Sequence, residues 1–313
     1  MEPEKSKPKI VVLASCCVDF ITYAPRLPLP GETLQGDKFT TGFGGKGANQ
    51  CVAAAKLGGD CHIICRIGDD DWGIKYKENL ISFGIDITHA KITKGVSTGI
   101  AQISVAANGE NHIVIVPGAN KYLSTCDVEE AKVLVENADI LISQLETPLE
   151  TTYEAFKLCR GIKLLNAAPA NINIVEILKY CTLLCVNEVE ASMLVEFEVT
   201  ISNIKHALQK LLLSGCKVAV ITLGEKGAAY SSEEGESIFV PCKKVTPKDT
   251  TGAGDAFVGA LAKFMVSHRD YPLHQIIGAA CDVATKSVTK EGTQISFPEK
   301  YDAFNEVYKY TIL

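Results

Sequence analysis

Short β-branched runs alternate with longer helical patterns along this chain, and that alternation limits its fold more than any other feature. Strand patterns fall at 10–14, 63–67, 140–143, 163–165, 182–186 and 218–222, and helical patterns at 46–57, 73–83, 151–159, 188–196 and 201–213. Strands separated by helices pair in parallel, and a parallel sheet needs both faces covered. The rhythm therefore predicts a three-layer α/β/α sandwich with a mainly parallel central sheet. No repeat of roughly 20–50 residues interrupts it. With 313 residues, 47% of them hydrophobic, the chain can fill a large core.

Two stretches break the rhythm. Between Val18 and Gly42 lie Pro25, Pro28, Pro30 and Gly31, which are hostile to helix. The segment "TGIAQISVAANGENHIVIVP" at 98–117 sets two β-rich runs around Asn108-Gly109, a hairpin signal. Together they predict a small β-sheet lid, discontinuous in sequence (about 17–42 and 98–117), on a single α/β domain spanning 1–313.

Charge and cysteine usage exclude other classes. The 31 basic and 37 acidic residues leave a net charge of −6, and the lysines and arginines are scattered, so neither a nucleic-acid nor a membrane-surface footprint is expected. The start, 1–9, is charged and lacks an apolar leader core, and no run approaches the roughly 18 apolar residues of a spanning helix. The chain reads as cytoplasmic. Its 12 cysteines sit in apolar runs such as "HIICRI" and "CTLLCV", without CxxC pairs or a histidine at zinc spacing, and are expected to be buried free thiols.

Ligands of open α/β sheets bind beyond the carboxyl ends of the strands, where this chain places Asp19, Gln144, Glu146, Asn187, Glu190, Thr222, Gly224 and the stretch from Asp249 to Asp255. In "KDTTGAGDAF", the amides of Ala253, Gly254 and Asp255 open a helix whose apolar face runs Phe257, Leu261, Phe264 and Met265. Free amides there form an anion site, and Gly252 and Gly254 let a phosphate come close. An acid beside a phosphate needs a purpose, and Asp255 is placed to take a proton from an attacking hydroxyl. The plainer alternative is a cap by Asp249 or Thr250, with Asp255 facing the helix dipole.

"TGFGGKGANQ" at 41–50 formally contains GxGxxG, but the dinucleotide fingerprint belongs in the turn after the first strand, here the glycine-free "ASCCVD". The glycines, Lys46 and Asn49 suit a polyhydroxylated ligand lying close to backbone, or simply a tight turn. "TLGEKG" at 222–227 offers a hydroxyl and glycine amides to phosphates, or is an ordinary strand-ending turn. In "NEVE" at 187–190, Asn187 and Glu190 lie one helical turn apart, facing either metal-bound water or plain solvent.

Taken together, these segments resemble the ribokinase family of sugar kinases, the PfkB-type carbohydrate kinases, over nearly the whole chain. "GGKGANQ" at 44–50 is similar to the family's first signature and "DTTGAGDAF" at 249–257 to its second. "GFGGKGANQ" and "QLETPLE" at 144–150 most resemble the family's ribose-phosphorylating branch. The resemblance implies transfer of phosphate from ATP to the 5-hydroxyl of D-ribose, with Mg²⁺ and a stimulating K⁺. It makes Asp255 the base and the 252–254 backbone the anion hole. It matches Asp19, Gly45, Lys46, Asn49 and Glu146 to sugar binding, and Asn187, Thr222, Gly224 and Gly227 to the nucleotide. Glu190 would act through the water shell of Mg²⁺. Asp249, Thr251, Ser287, Lys290, Gly292 and Ser296 would hold K⁺. A homodimer through the β lid is also implied.

Two positions depart from the family pattern. Cys17 stands where many bacterial members carry a sugar-contacting asparagine, and Cys281 where His or Asn usually lies near the adenine. These bear on sugar affinity and nucleotide preference. The rival readings are a same-family kinase for 2-deoxyribose, fructose or a nucleoside, and a sugar or nucleotide sensor without turnover. An intact Asp255 argues against the sensor.

Overall fold

The computed structural model describes residues 7–233 and 235–313. The first strand, β1 (Lys9–Ala14), leads into β2 (Cys17–Ala24) and β3 (Lys38–Gly44), followed by α1 (Lys46–Lys56), β4 (Asp60–Gly68), α2 (Asp71–Ser82) and β5 (Asp86–Thr93). A hairpin follows, β6 (Gly99–Ala106) and β7 (Asn111–Val116). The chain continues through α3 (Thr125–Glu130), α4 (Lys132–Glu136), β8 (Ile140–Ser143), α5 (Leu149–Leu158), β9 (Ile162–Asn166) and α6 (Val175–Leu178). Next come β10 (Leu183–Asn187), α7 (Glu188–Val195), α8 (Ile204–Leu213) and β11 (Val218–Thr222). The last elements are β12 (Gly227–Ser232), β13 (Ile238–Pro241), α9 (Ala253–Ser267), α10 (Leu273–Ser287) and the short β14 (Thr311–Ile312).

Ten strands form the main sheet in the order β14-β13-β12-β11-β10-β9-β8-β1-β4-β5. Ladders from β11 across to β5 are parallel, as the alternation of strand and helix predicts. Alternate residues of β1 feed opposite layers: Ile10, Val12 and Ala14 face the core under α1, α2, α9 and α10, while Val11 and Leu13 face the core under α3 to α8. Strand order reverses at β1, with β4 on one side and β8 on the other. That is the switch point where an open α/β sheet leaves a crevice at its carboxyl edge.

The sheet also has an antiparallel edge, β11 to β14, that the strand–helix rhythm does not announce. Strands β11 to β13 follow one another without an intervening α-helix, the two-residue β14 returns after α9 and α10, and "GAAYSS" in β12 carries little β-branched signal. The helical pattern at 201–213 resolves into a 3₁₀ turn at 201–203 followed by α8. Helix α10 escapes the periodicity because it is buried on most of its surface, from Gln275 through Val283.

The second sheet, ordered β3-β2-β6-β7, is built from the two stretches that broke the rhythm. Strands β2 and β6 pair in parallel over eight residues, and β6 turns into β7 through Asn108-Gly109, with Gly109 at φ 88°. Aromatic contacts seat this sheet on α2: Phe20 meets Trp72 edge-on at 5.3 Å and Phe43 meets Tyr76 at 5.0 Å. The Tyr76 hydroxyl donates to the Gly44 carbonyl at the end of β3.

Beneath the crevice, α1 packs on α9. The small residues of "KGANQCVAAAK" and Gly259 of α9 permit the close approach, since a Cβ at Gly259 would press on the Gln50 carbonyl and lie 2.7 Å from Ala53 Cβ. Gly259→Val is expected to lower unfolding stability by about 2 kcal/mol through overpacking. Urea denaturation checks it, and an unchanged midpoint would mean that the two helices part without cost.

Candidate active site

Four chain segments converge at the carboxyl edge of the sheet. The first is the junction Ser15–Cys16 between β1 and β2, and the second is the start of α1. The third is the loop after β8, and the fourth is the start of α9. Helix α1 begins at Gly45, whose φ of 89° suits glycine, and a Cβ there would lie 2.8 Å from both the Cys17 amide nitrogen and the Ser15 carbonyl. Glu146 ties three of these segments together. Its Oε2 accepts from Ser15 Oγ at 2.6 Å and from the Lys46 amide at 3.0 Å. The Ser15 hydroxyl accepts in turn from the Gly47 amide at 3.1 Å.

Helix α9 begins with Gly252 in the left-handed region, φ 76°. No side chain caps it. The capping alternative for Asp249 is thus set aside: its carboxylate accepts from the Thr251 amide and from the Gly292 amide, each at 2.9 Å, and clamps the 287–296 loop to the turn before α9. A Cβ on Gly254 would meet nothing within 4 Å. Of the amides at this helix start, that of Ala253 donates to the Thr250 carbonyl at 3.2 Å, which leaves those of Gly252, Gly254 and Asp255 available to an anion.

In the first turn of α9, Asp255 is only 8% exposed. Asn49 Nδ2 donates to its Oδ2 and Gln50 Nε2 to its Oδ1, each at 2.9 Å. Burial raises its pKa, while the Lys46 ammonium and the two amide donors pull the other way. Asp19, in β2, is pushed up to about 7, first by burial and then by the charges of Glu146 and Asp255. The Cys17 thiol is pushed up to about 12, chiefly by burial, and accepts from Asn120 Nδ2 at 3.5 Å. Acidic groups thus crowd the crevice, with Lys46 as the cation among them.

Farther along the edge, Asn187 and Glu190 form a reciprocal cap at the start of α7. Glu190 Oε2 accepts from the Asn187 amide at 2.9 Å, and Asn187 Oδ1 from the Glu190 amide at 2.8 Å. Burial raises the Glu190 carboxyl. Gly224 (φ 55°) and Gly227 (φ 123°) shape the turn after β11, with Thr222 at its start. Cys281 is buried in α10 against Cys242, and a hydrogen bond between the two thiols raises Cys281 and lowers Cys242. Ser287 and Ser296 are buried, Gly292 is half-buried and Lys290 is exposed, all on the loop that Asp249 clamps.

Several polar residues of the site were not singled out from sequence. Ser15, Gln50, Asn166 and Gln294 carry its hydrogen bonds. Asn166 ends the apolar strand β9, so the strand-end rule that found Asn187 would have found it too. Gln50 neighbours Asn49 and stands out as a polar residue in a stretch of alanine, cysteine and valine.

Ionised Asp19 costs folding energy because its pKa is higher in the folded chain than in the unfolded one. That cost is absent near pH 4, grows as pH rises, and is complete above about 7. Asp19→Asn is expected to stabilise the protein at pH 8 and to lose that advantage toward pH 4, as thermal unfolding at the two pH values will show. Equal stabilisation at both would rule out charge as the cause.

Comparison with known proteins agrees with this geometry. Residues 7–300 match the model of the pfkB family of carbohydrate kinases. The chain is 39% identical to mouse ribokinase over 305 residues, covering 96% of this chain and 94% of that one. It is also 39% identical to Salmonella typhi deoxyribokinase over 303 residues, covering 95% and 97%. Among solved structures, Thermotoga maritima ribokinase superposes with a TM-score of 0.86 at 33% identity, covering 94% of this chain and 97% of that one. Arabidopsis thaliana ribokinase complexed with ribose and ATP superposes with a TM-score of 0.87 at 27% identity, covering 96% and 98%. An uncapped helix start, a buried aspartate in its first turn and this match along nearly the full length place the chain in the pfkB family of carbohydrate kinases.

Proposed function

We propose that this protein transfers the terminal phosphoryl group of ATP to the 5-hydroxyl of D-ribose. The observation that carries the proposal is Asp255, buried and amide-held directly behind the uncapped start of α9. Asp19, Gly45, Lys46, Asn49 and Glu146, with Cys17 beside them, line the sugar side. Asn187, Thr222, Gly224 and Gly227, with Cys281 beyond them, line the nucleotide side. The sugar's 5-hydroxyl lies between Asp255 and the anion hole. Asp255 accepts its proton as the oxygen attacks phosphorus, and the amides of 252–254 meet the negative charge that gathers on the transferred group. Catalysis rests on positioning and on dipoles fixed in advance, and the small sheet excludes water from the sugar side.

Two cations fit the residues present. Among the described residues no cluster of three or more His, Cys, Asp or Glu makes a direct metal cage. A single half-buried carboxylate, Glu190, suits Mg²⁺ held through water and nucleotide phosphates. When bound, Mg²⁺ supplies charge neutralisation between phosphates. For K⁺, Asp249 already joins the turn at Thr251 to the loop carrying Ser287, Lys290, Gly292 and Ser296, so its carboxylate and nearby carbonyls offer oxygens from both sides. A cation there would stiffen the loop that presents the anion-hole amides.

The same reading pairs two copies through the small sheet. Its edge strand β7 leaves Ile113, Val114, Ile115 and Val116 half or more exposed, which supports a covering partner. A second acceptor, 2-deoxyribose, is favoured by one observation: Cys17 presents a thiol where an amide would offer a further hydrogen bond to the sugar.

ADP formation with D-ribose, 2-deoxyribose, fructose, adenosine and no acceptor tests the assignment, with ribose expected to be the best. Higher turnover on another acceptor would keep the chemistry and remove the sugar assignment. Asp255→Asn is expected to bind sugar and nucleotide and to lose about 10²-fold or more in kcat. Near-normal turnover in that variant would remove the base. Omitting K⁺ is expected to slow the enzyme, and Asp249→Asn to abolish the response. A K⁺ response that survives in D249N would place the ion elsewhere.

A further inference from the structure

We propose that Gln50 is the positioning residue for the base: it holds Oδ1 of Asp255 and so leaves Oδ2 as the atom that takes the substrate proton. The inference rests on Asp255 being the base, as proposed above.

Gln50 lies in α1 and is 0% exposed, so it does not touch substrate. Its Nε2 donates to Asp255 Oδ1 at 2.9 Å and to Asn166 Oδ1 at 3.0 Å, and its Oε1 accepts from Gln144 Nε2 at 2.7 Å. Both amide hydrogens are thereby used. The opposite orientation would set the Gln50 carbonyl against a carboxylate and a second carbonyl, so the amide has one acceptable placement. Asn166 is fixed in turn, its Nδ2 donating to the Cys185 carbonyl at 3.1 Å. The anchor therefore reaches from α1 into β9 and β10, the rigid centre of the sheet.

The other oxygen is held differently. Asp255 Oδ2 accepts from Asn49 Nδ2, and Asn49 Oδ1 accepts from Gln294 Nε2 at 3.0 Å. Asn49 is also assigned to the sugar, so this contact is shared with substrate, whereas the Gln50 contact is not. A carboxylate held at one oxygen by a buried amide presents its other oxygen in a fixed direction while Asn49 adjusts. Charged groups act on Asp255 from every side: Lys46 from α1, Glu146 from the loop after β8, Asp19 from β2 and Glu190 from α7. Gln50 adds a neutral donor that favours the ionised form without bringing another charge into the crevice.

Gln50→Met keeps the length and bulk of the side chain and removes the donor. The expected result is a kcat lower by about 10-fold or more, the scale of a lost hydrogen bond to a charged group, with KM for sugar and ATP within about 2-fold. The acid limb of the kcat–pH profile should also move to higher pH, because ionised Asp255 has lost a donor. A purely structural role would lower thermal stability and leave that limb in place. An unchanged kcat and limb, or a change confined to KM, overturns the proposal. Should Q50M fail to fold, Gln144→Met removes the support of Gln50 Oε1 from one step farther out. It is expected to shift the limb in the same direction by less, and an unmoved limb overturns the proposal there too. Asp255→Asn measured alongside separates the two inferences. Loss of turnover in D255N with a normal Q50M removes only the role of Gln50, and normal turnover in D255N removes the base itself.

Discussion

A carboxylate placed behind the amino end of a helix and out of water is the constraint on which the rest of this structure depends. Asp255 is buried, and burial alone favours its protonated form, which could not accept the proton that the proposed function asks of it. Three features hold it toward the ionised form: the Lys46 charge, the Asn49 amide and the Gln50 amide, all from α1. Helix α1 must therefore lie against α9 at close range, which explains the run of small residues along it and the glycine at 259. The composition of two helices follows from the ionisation of one side chain.

The acids around that base work against it. Asp19, Glu146 and Glu190 raise the electrostatic cost of a charged Asp255 and would repel an approaching polyphosphate. An arrangement like this makes sense where ligands complete it. Under the proposed function, sugar hydroxyls would donate to Asp19 and Glu146, and cations would balance the phosphates. On that reading, the ligands would offset the repulsion among Asp19, Glu146, Glu190 and Asp255. Binding energy is thereby tied to the correct ligands being present together, and a lone nucleotide finds a poorly balanced site.

Much of this was legible in the chain before any coordinates. Strands β1, β4 and β8 to β11, with helices α1, α2, α5, α7 and α8, follow from periodicity, because a parallel sheet writes its rhythm into the sequence. The small sheet was legible from its prolines and from Asn108-Gly109. The antiparallel edge, β5, the short helices α3, α4 and α6, and α10 were not, since short elements, and a helix buried on most sides, carry too little alternating signal. At the site, glycines and acids stand out because few folds need them in such clusters. Ser15 and Gln294 do not stand out, and for Gln50 and Asn166 the chain shows a polar residue without its role: a buried amide is identified by what it touches, and the partners of Gln50 are 94 to 205 residues away along the chain.

The junction between the two sheets explains why Glu146 matters beyond any contact with sugar. The chain passes from the main sheet to the small one through Ser15 and Cys16, and returns through Gly44 and Gly45. Glu146 Oε2 accepts from Ser15 Oγ on the outward crossing and from the Lys46 amide just past the return. One carboxylate oxygen thus pins both crossings to the loop after β8. Under the proposed function, the side chain that faces the sugar is thus also one that joins the two sheets. A sugar that draws on Glu146 would therefore also load the contacts that hold the small sheet to the main one, so that binding and the placement of the small sheet would share one carboxylate.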